Sequence, residues 1–408
     1  MAVGAISAAY PEKPMIDFTD ANCLIAGYHR AQKASGWKDA TQIYGLNLLK
    51  EVRALQKELR AETYRQMKGA TFRQCEQGHT RLIKALTVRD TVMQHALCDF
   101  VLVPELARHL IHDNGASLKG KGISFTRKRF EQHLRWHFRR YGNEGYVLKI
   151  DFRKYFDNIR HDVLMERISK YMDDSRVLSA VEAVLKANEV DISFTGDEHY
   201  IDKVFNALDY ERMDPEKKTG CRFMPKGLGI GAPLAQISGI FMPTLVDTWC
   251  KTVKGVHCYD AYMDDRIIIH HSKEYLHDLL KEIREIAKTL GLHINDRKTQ
   301  IVKLSHGFTF LKTRYSITKT GKIIRRIPRD VVVRQRRKMK KLARFAVEGS
   351  LSLKAFSSQY KGWRGDKNRY HASRTIRNMD KLHRRLRKWI MKRRPTPSKS
   401  RESVAPSR

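Results

Sequence analysis

The chain has 408 residues, 41% of them hydrophobic, enough for a sizeable core shared among two or three structural units. Its 79 Lys and Arg against 44 Asp and Glu give a formal net charge of +35, far more than solubility needs. Such an excess points to a polyanionic partner, most often nucleic acid, and leaves open a purely structural RNA-binding protein. No apolar run of about 18 residues appears, so no membrane span is expected. The apolar N-terminus lacks a basic n-region and a long h-region, and no signal peptide is expected. Cys23, Cys75, Cys98, Cys221, Cys250 and Cys258 are scattered without C-x-x-C spacing, which argues against zinc and against a disulfide framework. A cytoplasmic location follows as the expectation.

The first 75 or so residues read as helical, with Ile43, Leu46, Leu49, Val52, Leu55 and Leu59 at helical spacing. From Thr80, "TRLIKALTVRDTVMQHALCDFVLVPEL" predicts a short strand, a polar turn and a helix. "DNGASLKGKGISF" is a Gly/Lys loop, followed by a basic amphipathic helix ending at Gly142. "EGYVLKIDFRKYFDNI" carries an apolar run into Asp151 and reads as a buried strand, with a helix from about Asp162. The polar stretch from Asp191 to Phe223 reads as a long excursion. "KGLGIGAPLAQISGIFMPTLVDTW" is a Gly-rich loop feeding a mostly apolar helix, and a further helix closes at Gly291. From Arg325 the chain reads as helical and strongly basic, ending in a Pro/Ser/Arg-rich tail expected to be disordered.

The tetrapeptide YMDD occurs twice. Around the first copy, apolar residues three or four apart describe a helix, a break and a second helix. Asp173, Asp174 and Ser175 fall at the break, where short polar side chains cap a helix. The second copy lies between two β-rich runs, where a hairpin tip would project Asp264 and Asp265 beyond a sheet edge. Asp151, at the end of its own strand, can join them. Adjacent carboxylates repel unless a cation sits between them. Three such ligands suit two Mg²⁺ ions, about 3.5–4 Å apart, for in-line phosphoryl transfer, with Mn²⁺ as a substitute.

The segments "VLKIDFRKYFDNIRHDVL", "GLGIGAPLAQISG", "YMDD", "LGLHINDRKT" and "GFTFLKTRY" occur in the order and rough spacing of reverse transcriptase motifs A to E. From about Thr80 to Tyr315 the sequence resembles bacterial and retroelement reverse transcriptases. The resemblance implies an α+β right-hand polymerase with fingers, a palm built on an antiparallel sheet, and an α-helical thumb. It divides the chain into an N-terminal helical region (1–78), a fingers–palm domain (79–315), a basic helical thumb (316–394) and a tail (395–408).

The same resemblance assigns roles. Asp151, Phe152, Asp264 and Asp265 match the metal-binding positions, and Lys298 matches a proton donor to leaving pyrophosphate. Lys119 and Lys121 are placed at the incoming triphosphate, with Arg89 as a further candidate. Phe156, five positions after Asp151, would lie beneath the ribose, and Ile230, Gly231 and Gln236 belong to the nucleotide site. Gly307, Phe308, Phe310 and Leu311 match the primer grip. Two departures stand out: Ala235 replaces the Ser of an apolar-Gly…Ser-Gln pattern, and Ala261 stands where many relatives have Arg. The implied function is RNA-directed DNA synthesis on a dedicated noncoding RNA in bacterial antiphage defence. Mutagenic diversification and a non-catalytic maturase-like role are the alternatives. The implied partners are the RNA template, primer, DNA product and dNTPs, with a homo-oligomer or accessory protein possible and no membrane.

Overall fold

A computed structural model describes residues 16–76, 79–191 and 223–393 of the chain. The N-terminal residues, most of the polar excursion and the basic tail named above lie outside the described residues. The described chain divides into two compact units: Met1–His133 with Leu148–Ile301, and Leu134–Val147 with Val302–Arg408.

The first unit opens with α1 (Ala21–Ser35), α2 (Asp39–Leu46) and α3 (Leu48–Arg60). The expected helical region is divided at Asn47, between α2 and α3. Val52, Leu55 and Leu59 are buried, whereas Ile43, Leu46 and Leu49 are exposed. Thr71–Glu76, expected to be helical, forms β1 and pairs antiparallel with β2 (His79–Lys84). Helix α4 (Val88–Leu97) is capped by the Thr87 hydroxyl, which accepts from the Asp90 amide. It packs against α1, with Leu24 and Tyr28 of α1 and Val92, Met93 and Ala96 of α4 all buried. A π turn leads on to α5 (Val103–Leu106), and α6 (Ile123–Tyr141) follows the Gly/Lys loop.

After β3 (Tyr146–Ile150) come α7 (Tyr155–Asn158), α8 (His161–Ser169) and α9 (Ser175–Asn188). The first YMDD is the expected break between helices, and a single residue caps α9. The Asp174 carboxylate accepts from the Arg176 amide, while Asp173 lies exposed outside the cap. A short pair, β4 (Val190–Asp191) and β5 (Phe223–Met224), brackets the excursion. Then follow α10 (Pro233–Phe241), α11 (Thr244–Thr248), β6 (Tyr259–Tyr262), β7 (Asp265–His270), α12 (Lys273–Thr289) and β8 (Gln300–Lys303). A four-stranded sheet in the order β6-β7-β3-β8 carries the centre of this unit. The β6–β7 pair is antiparallel. The outer side of β6 bonds to the Gly/Lys loop: the Ala261 amide donates to Asp113 O at 3.2 Å, and the Gly115 amide donates to Ala261 O at 3.0 Å.

In the second unit, β9 (Phe308–Phe310), β10 (Thr313–Ile317) and β11 (Ile323–Arg326) form an antiparallel sheet in the order β11-β10-β9. The helical module therefore starts later than expected, at Arg329 instead of Arg325. It comprises α13 (Arg329–Val347), α14 (Leu353–Asp366) and α15 (Ser373–Arg393). Ala343, Ala346, Phe356 and Ile390 form one part of its core, and Met339, Tyr360 and Met379 another. Basic residues fill the outer faces. Arg377, Lys381, Arg384 and Lys388, three or four apart on α15, are all exposed. Among the described residues no helix is long and apolar enough to cross a membrane.

Candidate active site

β3 is buried at Val147, Leu148 and Ile150, and the chain leaves it at Asp151. Residues 293–299 hold this exit by both backbone and side chains. The Arg153 amide donates to His293 O at 2.7 Å, the Asn295 amide to Asp151 O at 2.8 Å, and the Asp151 amide to the Thr299 hydroxyl at 3.3 Å. Asn295 Nδ2 donates to Asp151 Oδ2 at 3.1 Å, and Lys298 Nζ lies 3.5 Å from the same oxygen. The expected proton donor and the first expected metal ligand are thus neighbours.

The second YMDD is the expected hairpin tip. Tyr262 pairs with Asp265, leaving Met263 and Asp264 as a two-residue turn. Met263 has φ of 53°, a left-handed conformation that hairpin turns usually give to Gly or Asn. Burial raises the Asp264 carboxyl above the ordinary range, and the Asp151 charge adds to the rise. Burial pushes Asp265 up to about 6, with Asp264 and Asp151 contributing and Lys149 opposing. These carboxylates therefore sense one another in a poorly solvated place, which a bound cation would relieve. The donors are all oxygen, the set that suits Mg²⁺ or Mn²⁺. Phe152 has a buried aromatic side chain, so its backbone carbonyl is the only donor it can offer.

Phe156, a predicted nucleotide residue, differs in burial from its neighbour Tyr155. Tyr155 is buried and its hydroxyl donates to Gly239 O at 2.6 Å, while Phe156 remains half-buried. The two rings meet edge-on at 5.3 Å. Gly239 is glycine for a packing reason: a Cβ there would lie 2.9 Å from the Phe156 ring. Ile230 is half-buried, while Gly231 (φ 94°) and Gln236 are exposed at the start of α10. Lys119 is exposed. Lys121 Nζ donates to His112 O at 2.9 Å and lies 5.3 Å over the Phe125 ring. Their loop touches the YMDD hairpin, since the Ser117 hydroxyl donates to Met263 Sδ at 3.4 Å. Arg89, by contrast, is an ion-pair residue: it bonds Glu58 and Asp90 and lies over the Tyr64 ring, so the first unit's own packing occupies it.

The predicted primer-grip residues belong to the second unit. Gly307 has φ of 70°, and a Cβ there would lie 2.8 Å from Tyr315 O. Phe308 and Phe310 are buried on β9, and Leu311, with φ of 44°, turns the chain into β10.

A second group of ligating side chains was not foreseen. Asp113, His133 and Asp260 are buried with ligand atoms all within 4.8 Å of one another. His133 Nδ1 lies 2.8 Å from Asp260 Oδ2. Arg129 Nε reaches one Asp113 oxygen at 2.7 Å and Lys251 Nζ the other at 2.9 Å. Burial alone would raise Asp113, but these two bonds hold it well below the usual carboxylate range. With two cations already on Asp113, the cluster is an ion-pair network at the base of β6, distinct from the Asp151–Asp264–Asp265 site. Its members are far apart in sequence, and no spacing announces them.

Comparison with known proteins gives the family. Reverse transcriptase (RNA-dependent DNA polymerase) matches residues 72–315. No curated protein matches the chain. Solved structures similar to it include telomerase from Candida albicans in complex with a fragment of telomeric RNA, at 13% identity and a TM-score of 0.43, covering 81% of this chain and 60% of that one. Another is apo telomerase from Candida tropicalis truncated from its C-terminal domain, at 12% identity and a TM-score of 0.45, covering 67% and 59%. The chain thus spans about three-fifths of these telomerase chains. The family match covers well over half of the sequence and contains β3, the YMDD hairpin and the Lys298 segment, within a mixed fold of helices and antiparallel strands of the right-hand polymerase class. The chain belongs to the reverse transcriptase family, the RNA-dependent DNA polymerases.

Proposed function

We propose that this protein extends a primer with dNTPs on an RNA template, with Asp151, Asp264, Asp265 and the Phe152 carbonyl holding two Mg²⁺ ions. The observation that carries this reading is the conjunction of Asp151, at the exit of a buried strand, with a hairpin tip whose two carboxyls are both raised by burial and by the Asp151 charge. When bound, the ions neutralise charge on the triphosphate and acidify the primer 3′-hydroxyl. The hydroxyl oxygen, its proton passing to solvent water, bonds to the α-phosphorus as the bridging bond to the β-phosphate breaks, and pyrophosphate leaves. Lys298 supplies a proton to that leaving group, and Lys119 and Lys121 bind the triphosphate. Phe156 closes the space of a ribose 2′-hydroxyl and offers it no hydrogen-bond partner. Gly307–Leu311 hold the primer end, and the basic faces of α13–α15 grip the template–primer backbone.

The template is a dedicated noncoding RNA and the setting is bacterial antiphage defence; Ala235, which breaks the Ser-Gln pattern of diversification enzymes, supports that choice. Primer extension on a primed RNA tests the chemistry: wild type incorporates dNTPs and Asp264→Asn does not. Sequencing the RNA and DNA that co-purify with the protein tests the role. Recovery of one recurrent noncoding RNA with its complementary DNA supports the reading, and DNA copied from a protein-coding repeat overturns it in favour of diversification.

A further inference from the structure

Arg266 follows Asp265 directly, and it precedes the apolar run Ile267–Ile269 of β7. It is only 2% exposed, in a chain whose other basic residues mostly face solvent. A guanidinium taken this far out of water is costly unless its donors are satisfied. Here they are. Nε donates to Asp247 Oδ1 at 3.1 Å and Nη2 to Asp247 Oδ2 at 3.3 Å, a two-pronged pair, while Nη1 donates to the carbonyl of Met263. Asp247, on α11, is itself 1% exposed and accepts a further bond from the Tyr259 hydroxyl at 2.5 Å. The face of the guanidinium lies 5.3 Å from the centre of the Phe152 ring.

Those contacts reach both halves of the metal centre. Met263 is the strained residue of the YMDD turn, with φ of 53°, and left-handed backbone at a non-glycine residue persists only where its surroundings hold it. Arg266 holds it from inside, through the carbonyl that immediately precedes Asp264. Phe152 immediately follows Asp151. One side chain therefore supports the segment bearing Asp151 and the turn bearing Asp264 and Asp265. Asp247 and Tyr259 fix the orientation of that side chain.

We infer that Arg266 is a positioning residue: oriented by Asp247 and Tyr259, its guanidinium sets the Met263 turn against Phe152 and so sets the spacing of the carboxylates for the metal pair. This rests on the proposed reading that those carboxylates hold the ions. Lysine cannot replace it, because an ammonium lacks the planar fork that spans both Asp247 oxygens and Met263 O together.

The test uses the full chain with Arg266→Lys, Tyr259→Phe and Asp264→Asn. Mn²⁺ binding without nucleic acid is followed by electron paramagnetic resonance, and the Mg²⁺ concentration for half-maximal primer extension is measured alongside thermal stability. Arg266→Lys should weaken Mn²⁺ binding and raise the half-saturating Mg²⁺ at least tenfold, with KM for dNTP at saturating Mg²⁺ within about twofold of wild type. Tyr259→Phe should fall in between. A folded Arg266→Lys protein with wild-type Mn²⁺ binding and Mg²⁺ requirement overturns the proposal and leaves Arg266 a purely structural ion pair. Should Arg266→Lys fail to fold, Tyr259→Phe decides, because it removes one hydrogen bond and no charge; wild-type metal behaviour there overturns the proposal too. An active Asp264→Asn protein would instead condemn the metal-site reading itself.

Discussion

The two YMDD tetrapeptides permit an internal control in which identical letters are expected to have opposite consequences. Asp174→Ala removes the α9 cap, in which the carboxylate accepts from the Arg176 amide at 2.9 Å, and a pair with the Arg176 guanidinium at 2.8 Å. A lost cap costs about 1 kcal/mol. The ion pair is partly solvated, and its loss adds roughly 0.5 kcal/mol. A total of about 1.5 kcal/mol in a unit of this size lowers Tm by about 3–6 °C. Primer extension below the melting range should stay at the wild-type rate. Asp173, exposed and outside the cap, should change neither quantity when replaced by Ala. Asp264→Ala should leave Tm unchanged or raised in metal-free buffer, because it removes a carboxyl that burial disfavours in its charged form. It should abolish synthesis. Differential scanning calorimetry and primer extension on the three variants provide the check. Loss of synthesis in Asp174→Ala without loss of stability would refute the assignment of the two copies.

Phe156→Ala should retain dNTP use and gain at least tenfold in rNTP incorporation, about 1.4 kcal/mol of lost discrimination, read from single-nucleotide extension kinetics. Gly239→Ala, whose new Cβ crowds the Phe156 ring, should lower kcat for dNTPs while tightening sugar selection, and unchanged kinetics would show that the ring yields freely. Replacing Arg377, Lys381, Arg384 and Lys388 by Gln should flatten the salt dependence of template–primer affinity by about 0.9 logarithmic units for each phosphate no longer neutralised; an unchanged slope would move the duplex grip away from α15. Metal and pH are linked through Asp265. Its pKa is raised from 3.8 to about 6 in the folded chain, so the folded state binds more protons there than the unfolded state does. Metal-free stability from this group therefore falls as pH rises through that window. Added Mg²⁺ should raise Tm more at about pH 7 than at about pH 5, and Asp265→Asn should remove most of that difference. Equal shifts at both pH values would count against Asp265 as a ligand.

Much of the site was readable because local rules and the required chemistry agree there. An apolar strand ending in Asp151, and β-rich runs flanking Asp264 and Asp265, allow few other arrangements. The N-terminal spacing gave the helices but not their faces: Ile43, Leu46 and Leu49 keep helical spacing across a break at Asn47, yet face solvent. β1 has a polar sequence, and only its pairing with β2 makes it a strand. Assigning the cap to Asp174 and not Asp173 turns on one residue of helix phase, finer than periodicity resolves. Arg89 with Glu58, Arg266 with Asp247, and His133 with Asp113 and Asp260 are tertiary pairings. In each, the partner's distance in sequence hides the fact that decides the residue's role: whether its charge is already answered.

The bonding of the Gly/Lys loop to β6 has a consequence for colloidal behaviour. β6 is an outer strand of its sheet, and an open edge invites strands from other molecules. Asp113 and Gly115 occupy both the amide and the carbonyl of Ala261, the residue midway between Asp260 and the YMDD turn. A neighbouring chain would have to displace the loop before adding a strand there. The YMDD hairpin, proposed above to carry the metal ligands, is thereby shielded from edge-to-edge aggregation by the same loop that carries Lys119 and Lys121. Substitutions between Asp113 and Gly115 would thus compromise the protein as a solute as well as a polymerase.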